Sequence, residues 1–583
     1  MSQPTFDLRL ATLAEAYRRG ELTPRALLAD LRQKAQTLNP EYQLFIHILT
    51  ADEQEPWLAA LDTVAPETLP LYGVPFAIKD NIDLAGIATT AACPAFARTA
   101  TEDATIVAQL IALGAIPVGK TNLDQFATGL NGTRSPYGRC RNAYHADYPS
   151  GGSSAGSALA VALGVASFAL GTDTAGSGRV PASLNNLVGL KASKGLISTA
   201  GVVPACRTLD CTTFFTATAD EASRLLALTA RLDPRDAYSR RNPQWNSHQA
   251  FGAPTPGFRF GVPQTLNFLG CAQSESQFMQ AKARLIALGG VPVNLDMTPF
   301  LAAARLLYDG PWVAERYAVV EPLITQQPEA VLPVIREVLA KAPDTDAVAT
   351  FRAMYQLQAF KAQCDALLET LDCVLTPTCP RPVTLAELEA EPVQRNADLG
   401  YYTNFMNLLD YAAVNVPVGF LANGLPSGVT LFGRAFTDQY LLGVADAFQR
   451  VQPLPLVGGN LLAASLPAAT GSHDRMPLVV CGAHLDGLAL NGQLRERGGR
   501  LLTAIQSAPR YRLYALADGR RPGMVRDEND GAAIAVEVWE LPSSELGSLL
   551  AAIPAPLGLG KVELSDGRWL SGFICEGYGL QGA

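Results

Sequence analysis

The chain has 583 residues, 48% hydrophobic and 17% charged, with 45 basic against 54 acidic residues and a formal net charge of −9. That length exceeds one ordinary core and predicts two or more domains. The composition excludes a disordered chain, and the acidic balance excludes non-specific nucleic-acid binding, which needs a basic face. Small acidic substrates stay open, because one local arginine can bind a carboxylate despite an acidic average. Ten cysteines are scattered from Cys93 to Cys575 with no CxxC pair. No His/Cys cluster has zinc spacing, so neither metal nor cofactor is expected. Reduced thiols and a cytoplasmic location are the expectation. The first residues lack a basic segment followed by an apolar one, so no signal peptide is read there. The most apolar run, Ala158 to Gly171, is too short for a bilayer span and reads as a buried helix.

From the N-terminus, LATLAEAYRRGELTPRALLADLRQKAQTL predicts two amphipathic helices. Leu13, Leu27, Leu28 and Leu31 recur at helical spacing, Gly20 ends the first helix, and Thr23-Pro24 caps the second. Between Leu71 and Val203, β-like runs (PFAIKD, AIPVGK) alternate with helical ones (TIVAQLIALG), which predicts an α/β fold with helices around a central sheet. About Ser274 to Leu371 is mostly helical. VLTPTCP (Val374 to Pro380) and YAAVNVPVGF (Tyr411 to Phe420) read as strand or loop returns to the sheet. A Pro/Gly/Ala-rich boundary falls near Val451 to Pro477. Beyond it, MPLVVCGAHLDGLALNGQL and DGAAIAVEVWELP predict a small β-rich domain.

The chemistry concentrates in three places. GVPFAIKDNID puts Lys79 in an apolar setting. SGGSS (Ser150 to Ser154) and TAGSG (Thr174 to Gly178) lie at two ends of a small-residue helix. A serine nucleophile needs a base and an oxyanion site. No histidine lies in these segments, so they suggest Ser–Ser–Lys rather than Ser–His–Asp. Ser177 is the candidate nucleophile. Ser153 relays its proton, and Lys79 accepts it once burial has lowered its pKa. The backbone N–H groups of Thr174, Ala175, Gly176 and Ser177 are the candidate oxyanion donors. The plain structural alternative for Lys79 is a strand-end lysine paired with Asp80. A competing G-x-S-x-G reading centres on Ser154 but lacks a preceding apolar strand. Ser154 is expected instead to support Ser177 by hydrogen bonding.

These motifs resemble those of the amidase signature hydrolases. Lys79 matches the lysine of their G-[VI]-P-x-x-x-K-D element, Ser153 the first serine of GGSS, and Ser177 the serine closing GTDTAGS, here 24 positions later. The resemblance covers roughly Thr5 to Gln452. It implies a cis peptide at Gly152–Ser153 that turns the hydroxyl toward the lysine. Within the family the chain is most similar to the allophanate hydrolases, in the segment TDTAGSGRVPA, in YDGPWVAERY, and in a tail like their C-terminal domain. That resemblance implies that Tyr308 and Arg316, eight positions apart and able to share one helix face, hold the substrate carboxylate. A buried Tyr308 with Arg316 as a solvated partner of Glu315 is the plain alternative.

Gly129 and Ser154 complete the expected substrate-binding set. The resemblance further implies a tail barrel like that of γ-glutamylcyclotransferases. There His484 of GAHL would speed decarboxylation of N-carboxycarbamate, the product left when allophanate loses ammonia. The expected division is an amidase domain over 1–452, a linker over 453–476 and the C-terminal domain over 477–583. The expected partners are allophanate and a second copy of the chain in a homodimer, with no nucleic acid and no membrane. The alternatives are a broad amidase, a glutamyl-tRNA amidotransferase A-like subunit, or an inactive scaffold with an assembly tail.

Overall fold

A computed structural model describes residues 7–452, 454–456, 461–462, 475–516 and 521–580. It divides into two compact units. The first comprises Met1–Asn242 with Phe251–Gly471, and the second Pro243–Ala250 with Ser472–Ala583. Most of the expected linker, 453–476, lies outside the described residues.

The first unit is built on a mixed sheet of eleven strands. In chain order these are β1 (Phe45–Ile48), β2 (Pro75–Lys79), β3 (Ile116–Thr121), β4 (Phe168–Asp173), β5 (Val188–Lys191), β6 (Cys211–Thr216), β7 (Arg259–Pro263), β8 (Val291–Leu295), β9 (Cys373–Pro377), β10 (Tyr411–Phe420) and β11 (Pro426–Arg434). The spatial order is β1-β3-β2-β4-β6-β5-β10-β11-β9-β7-β8. β3, β2 and β4 run parallel, as do β9, β7 and β8, and antiparallel pairings join these two groups.

Strand periodicity explains how the sheet splits the core. Phe76 and Ile78 of β2, with Phe168 and Leu170 of β4, belong to one apolar cluster. Ala77 and Ala169, one residue out of phase, belong to a second that includes Ala155, Ala158 and Ala162 of the helix Ala155–Ala162. Small residues let that helix lie close to the sheet. The two N-terminal helices form as expected, over Leu10–Arg18 and Pro24–Tyr42, with Thr23 Oγ1 accepting the Ala26 N–H.

The second unit carries a five-stranded sheet: β12 (Arg475–Val480), β13 (Arg500–Gln506), β14 (Ala535–Pro542), β15 (Leu557–Glu563) and β16 (Trp569–Cys575), ordered β13-β14-β12-β16-β15. Just past its edge strands, Ser507 and Leu564 form an antiparallel bridge. The Ala508 N–H donates to Glu563 O and the Ser565 N–H to Gln506 O, both at 2.9 Å. At that end the sheet closes on itself, a barrel-like arrangement. No helix among the described residues is long and apolar enough to cross a membrane.

Candidate active site

Lys79 ends β2, in register beside β4 (Ile78 opposite Leu170), and its side chain is fully buried. Its Nζ donates to Ser153 Oγ at 2.8 Å and to Thr172 Oγ1 at 2.7 Å. The Gly152–Ser153 peptide is cis. Burial pulls the Lys79 ammonium down to about 7, against the opposing fields of Asp124, Asp210 and Asp173. Asp80 does not partner Lys79. It pairs with Lys120 at 3.0 Å and accepts the Thr90 N–H at the same distance.

The nucleophile loop hangs from the end of β4. The Asp173 carboxylate accepts the N–H groups of Gly176 (2.8 Å) and Gly178 (3.0 Å) and takes two 2.9 Å bonds from the Arg179 guanidinium. Both charges are fully buried. Burial alone would raise the Asp173 pKa, but Arg179 and Lys191 hold it below its ordinary value. Asn407 Nδ2 adds a 2.7 Å bond to the Asp173 carbonyl. Gly176 sits at φ +145°, and a Cβ there would collide with Thr403 Oγ1.

This anchoring corrects one expectation. The Gly176 N–H is taken by Asp173 and leaves the set of oxyanion donors. The N–H groups of Thr174, Ala175 and Ser177 have no acceptor among the described residues. Thr174 Oγ1 is fixed by the Asp210 carboxylate. Burial raises Asp210 to about 6, opposed by bonds from Thr174 and the Cys206 N–H.

Ser154 corrects another. Its hydroxyl donates to Thr172 O (3.1 Å) and accepts the Thr172 N–H (3.3 Å), so it is spent on the β4 backbone rather than on Ser177. A Cβ on Gly171 would lie 2.7 Å from Ser154 Oγ, so the bare glycine makes this contact possible. A loop and not a strand precedes Ser154, contrary to a G-x-S-x-G elbow.

Tyr308 and Arg316 are adjacent but not on one helix. Tyr308 belongs to the helix Thr298–Asp309 and Arg316 to Trp312–Gln326, with Gly310 and Pro311 between them. The Gly-Pro pair interrupts the helix, a signal present in the sequence. The Arg316 Cζ lies 5.9 Å from the Tyr308 ring centroid. Arg316 is 3% exposed, yet among the described residues its guanidinium makes one hydrogen bond, at 3.4 Å to Thr128 Oγ1, and its Nε has no partner. Glu315 accepts instead from the Thr208 N–H (2.8 Å) and hydroxyl (2.7 Å). Gly129 follows Thr128, and a Cβ there would run into the Asp124 carboxylate. That carboxylate accepts the N–H groups of Asn131, Gly132 and Arg134.

Sequence reasoning assigned no role to Asp124, Asp173, Arg179 or Asp210. Asp173 and Arg179 stand inside the motifs that flag Ser177. The other two carry no local signal.

In the second unit, His484 closes a short turn, Gly482–His484, after β12. Its ring stacks on Phe573 (centroids 4.6 Å apart), and Nε2 shares a 3.1 Å hydrogen bond with Gln493 Oε1. Burial lowers its pKa, opposed by Gln493. It lines a cavity of about 200 Å³ together with Gln493, Arg521, Met524 and Phe573.

The site thus consists of a mixed sheet, a buried Lys79 hydrogen-bonded to Ser153, and a Ser177-bearing loop at the end of β4. Residues 26–442 match the family model described as Amidase, and the chain belongs to that family and is an amidase-family hydrolase. Residues 476–583 match the model of the allophanate hydrolase C-terminal domain. More particularly, the chain is 42% identical over 565 residues to the urea amidolyase of Lachancea kluyveri, covering 94% of this chain and 31% of that protein. It thus spans about a third of that relative's length. It is 31% identical over 482 residues to the A subunit of glutamyl-tRNA(Gln) amidotransferase from Roseiflexus sp. (strain RS-1), covering 76% of this chain and 96% of that one. The solved allophanate hydrolase of Kluyveromyces lactis superposes with a TM-score of 0.75 at 38% identity, covering 96% of this chain and 94% of that one.

Proposed function

We propose that the chain hydrolyses allophanate, releasing ammonia from its terminal amide, and that the second unit speeds decarboxylation of the N-carboxycarbamate left behind. In this reading Ser177 Oγ attacks the amide carbonyl carbon. Its proton passes to Ser153 Oγ as the Ser153 proton passes to neutral Lys79 Nζ. The N–H groups of Thr174, Ala175 and Ser177 receive the oxyanion. Collapse breaks the C–N bond, and the proton on Lys79 returns through Ser153 to the departing ammonia. Water then attacks the acyl-enzyme, loses a proton along the same path, and frees Ser177.

The observation that carries the substrate assignment is Arg316, a buried guanidinium beside Tyr308 with an unpartnered Nε and no carboxylate bonded to it among the described residues. Leaving such a charge buried is costly unless an anion completes it. A substrate carboxylate next to the scissile amide meets that need, and a planar fork suits it. The urea amidolyase and allophanate hydrolase relatives favour the same substrate. His484, half-buried in a cavity with Gln493, is the proposed acid–base group of the second unit. The division at 453–476, a homodimer and a cytoplasmic setting belong to the same reading. All ten cysteines are free, in keeping with that setting.

The likeness to the A subunits of amidotransferases supports a second reading, hydrolysis of glutamine to feed partner chains. Ammonia release from allophanate, malonamide and glutamine separates the two. Allophanate should be the preferred substrate, and Ser177→Ala should abolish release while the fold persists. A preference for glutamine, or substantial activity left in Ser177→Ala, would overturn the proposal.

A further inference from the structure

The chemistry above makes no use of Arg134, yet it is a second cation buried near Arg316, 5% exposed. Its Nη1 donates to Thr128 O at 3.0 Å and its Nη2 to Pro392 O at 2.8 Å. Its own N–H donates to Asp124 Oδ1 at 2.9 Å, and its carbonyl accepts the Gln125 N–H at 2.7 Å. No carboxylate among the described residues bonds its guanidinium. A planar fork spanning two carbonyls from separate segments makes a clamp that a lysine cannot reproduce.

What the clamp holds is Thr128. Arg134 grips the Thr128 carbonyl, and Arg316's one hydrogen bond among the described residues goes to the Thr128 hydroxyl, which itself donates to Phe126 O at 3.2 Å. The backbone leading into Thr128 is in an unfavourable conformation. Phe126 and Ala127 both lie in the left-handed region, at φ +50° and +52°. Residues with a side chain rarely adopt this region, so the loop needs outside support to keep this path. Asp124 supports it from one side and Arg134 from the other.

We propose that Arg134 is a positioning residue for substrate selection. By clamping Thr128 it fixes the Arg316 guanidinium in the orientation that receives the substrate carboxylate. Arg316 so held presents its positive charge to a carboxylate-bearing amide rather than a neutral one. This rests on the reading of Arg316 under Proposed function.

The test measures kcat and KM for allophanate and for uncharged malonamide in Arg134→Met, Arg134→Lys, Arg316→Met and the Arg134→Met/Arg316→Met double variant of the full chain. Arg134→Met should raise KM for allophanate by about 30-fold with kcat changed by less than about threefold, and Arg134→Lys should recover part of the loss. Malonamide turnover in the same preparation should stay within about threefold, which also reports that the variant is folded. Because Arg134 acts through Arg316, adding Arg134→Met to Arg316→Met should cost less than about threefold more on allophanate. Equal losses on both substrates, an unchanged KM, or full additivity would overturn the proposal.

If Arg134→Met does not fold, Thr128→Val decides. It keeps the carbonyl that Arg134 grips and removes the hydroxyl that Arg316 bonds. A rise of about tenfold in KM for allophanate alone supports the relay, and no rise overturns it. If the wild-type chain does not turn over allophanate, the functional reading has failed on its own. The positioning role is then read from malonate affinity by calorimetry. About tenfold weaker binding in Arg134→Met supports it, and equal binding overturns it.

Discussion

A lysine serves as a base only after losing its proton, and Lys79 is placed to do so near neutrality because burial outweighs the three carboxylates around it. Under the proposed mechanism kcat should therefore rise with pH through about 7 and level off above it. Lys79→Arg keeps the charge but cannot deprotonate at working pH. It should fail about as badly as Lys79→Ala, and near-normal turnover would show that charge, not basicity, is used. Arg316→Ala should cost about 2–5 kcal/mol on allophanate and far less on malonamide. Equal losses would make Arg316 a structural residue. Lys79 and Ser153, which are hydrogen-bonded in the structure, and the proposed nucleophile Ser177 could be singled out in the sequence because each sits in a short motif. Asp210 and Arg134 could not. The Arg134–Pro392 bond joins residues 258 positions apart, and no local pattern encodes such a pairing.

At the scale of elements, hydrophobic periodicity located the N-terminal helices and the strands β2 and β3, while the segments of β9 and β10 read only as strand or loop. It could not give the order of eleven strands, which depends on non-local pairing. Nor did spacing show that Tyr308 and Arg316 stand on separate helices, although Gly310-Pro311 marks the break. One element contact has a pH consequence. Glu221, in the first turn of the helix Ala219–Thr229, is buried and accepts the Leu10 N–H at 2.9 Å, tying the first helix to this one. Burial raises its pKa from 4.5 to about 7, against the bonds from Leu10 and Thr218. A carboxyl raised on folding holds its proton more tightly when folded, so its contribution is full below 4.5 and is lost as pH rises through about 7. Glu221→Gln removes that titration. Measured by denaturation, it should gain stability relative to the wild-type chain between pH 4.5 and 7, by at most about 3 kcal/mol, and gain no more above 7. A difference that does not vary with pH would refute the assignment.

For the whole molecule, the question is whether the second unit does chemistry. Truncation near residue 452 looks like the direct test, but the units do not divide at one point in the chain. Pro243–Ala250 belongs to the second unit, where the Trp245 ring approaches within 3.2 Å of the position a Cβ on Gly498 would occupy. A truncated chain would leave that segment without its partners, and a lost first step could then mean damage rather than cooperation. His484→Ala is the cleaner variant. It removes one half-buried ring that stacks on Phe573 and bonds Gln493, all within the second unit. It should leave the first ammonia from allophanate unchanged and delay the second, because N-carboxycarbamate then breaks down unaided. The measurement is a time course of ammonia per allophanate consumed, at a pH where spontaneous decarboxylation is slow. A lag in the second equivalent alone assigns the tail's chemistry to His484. Superimposable time courses would remove that role and leave the cavity without an assigned step. Loss of the first equivalent would mean that the substitution disturbs the first unit, and Gln493→Ala, which spares the ring and removes its hydrogen bond, would then have to show the lag by itself.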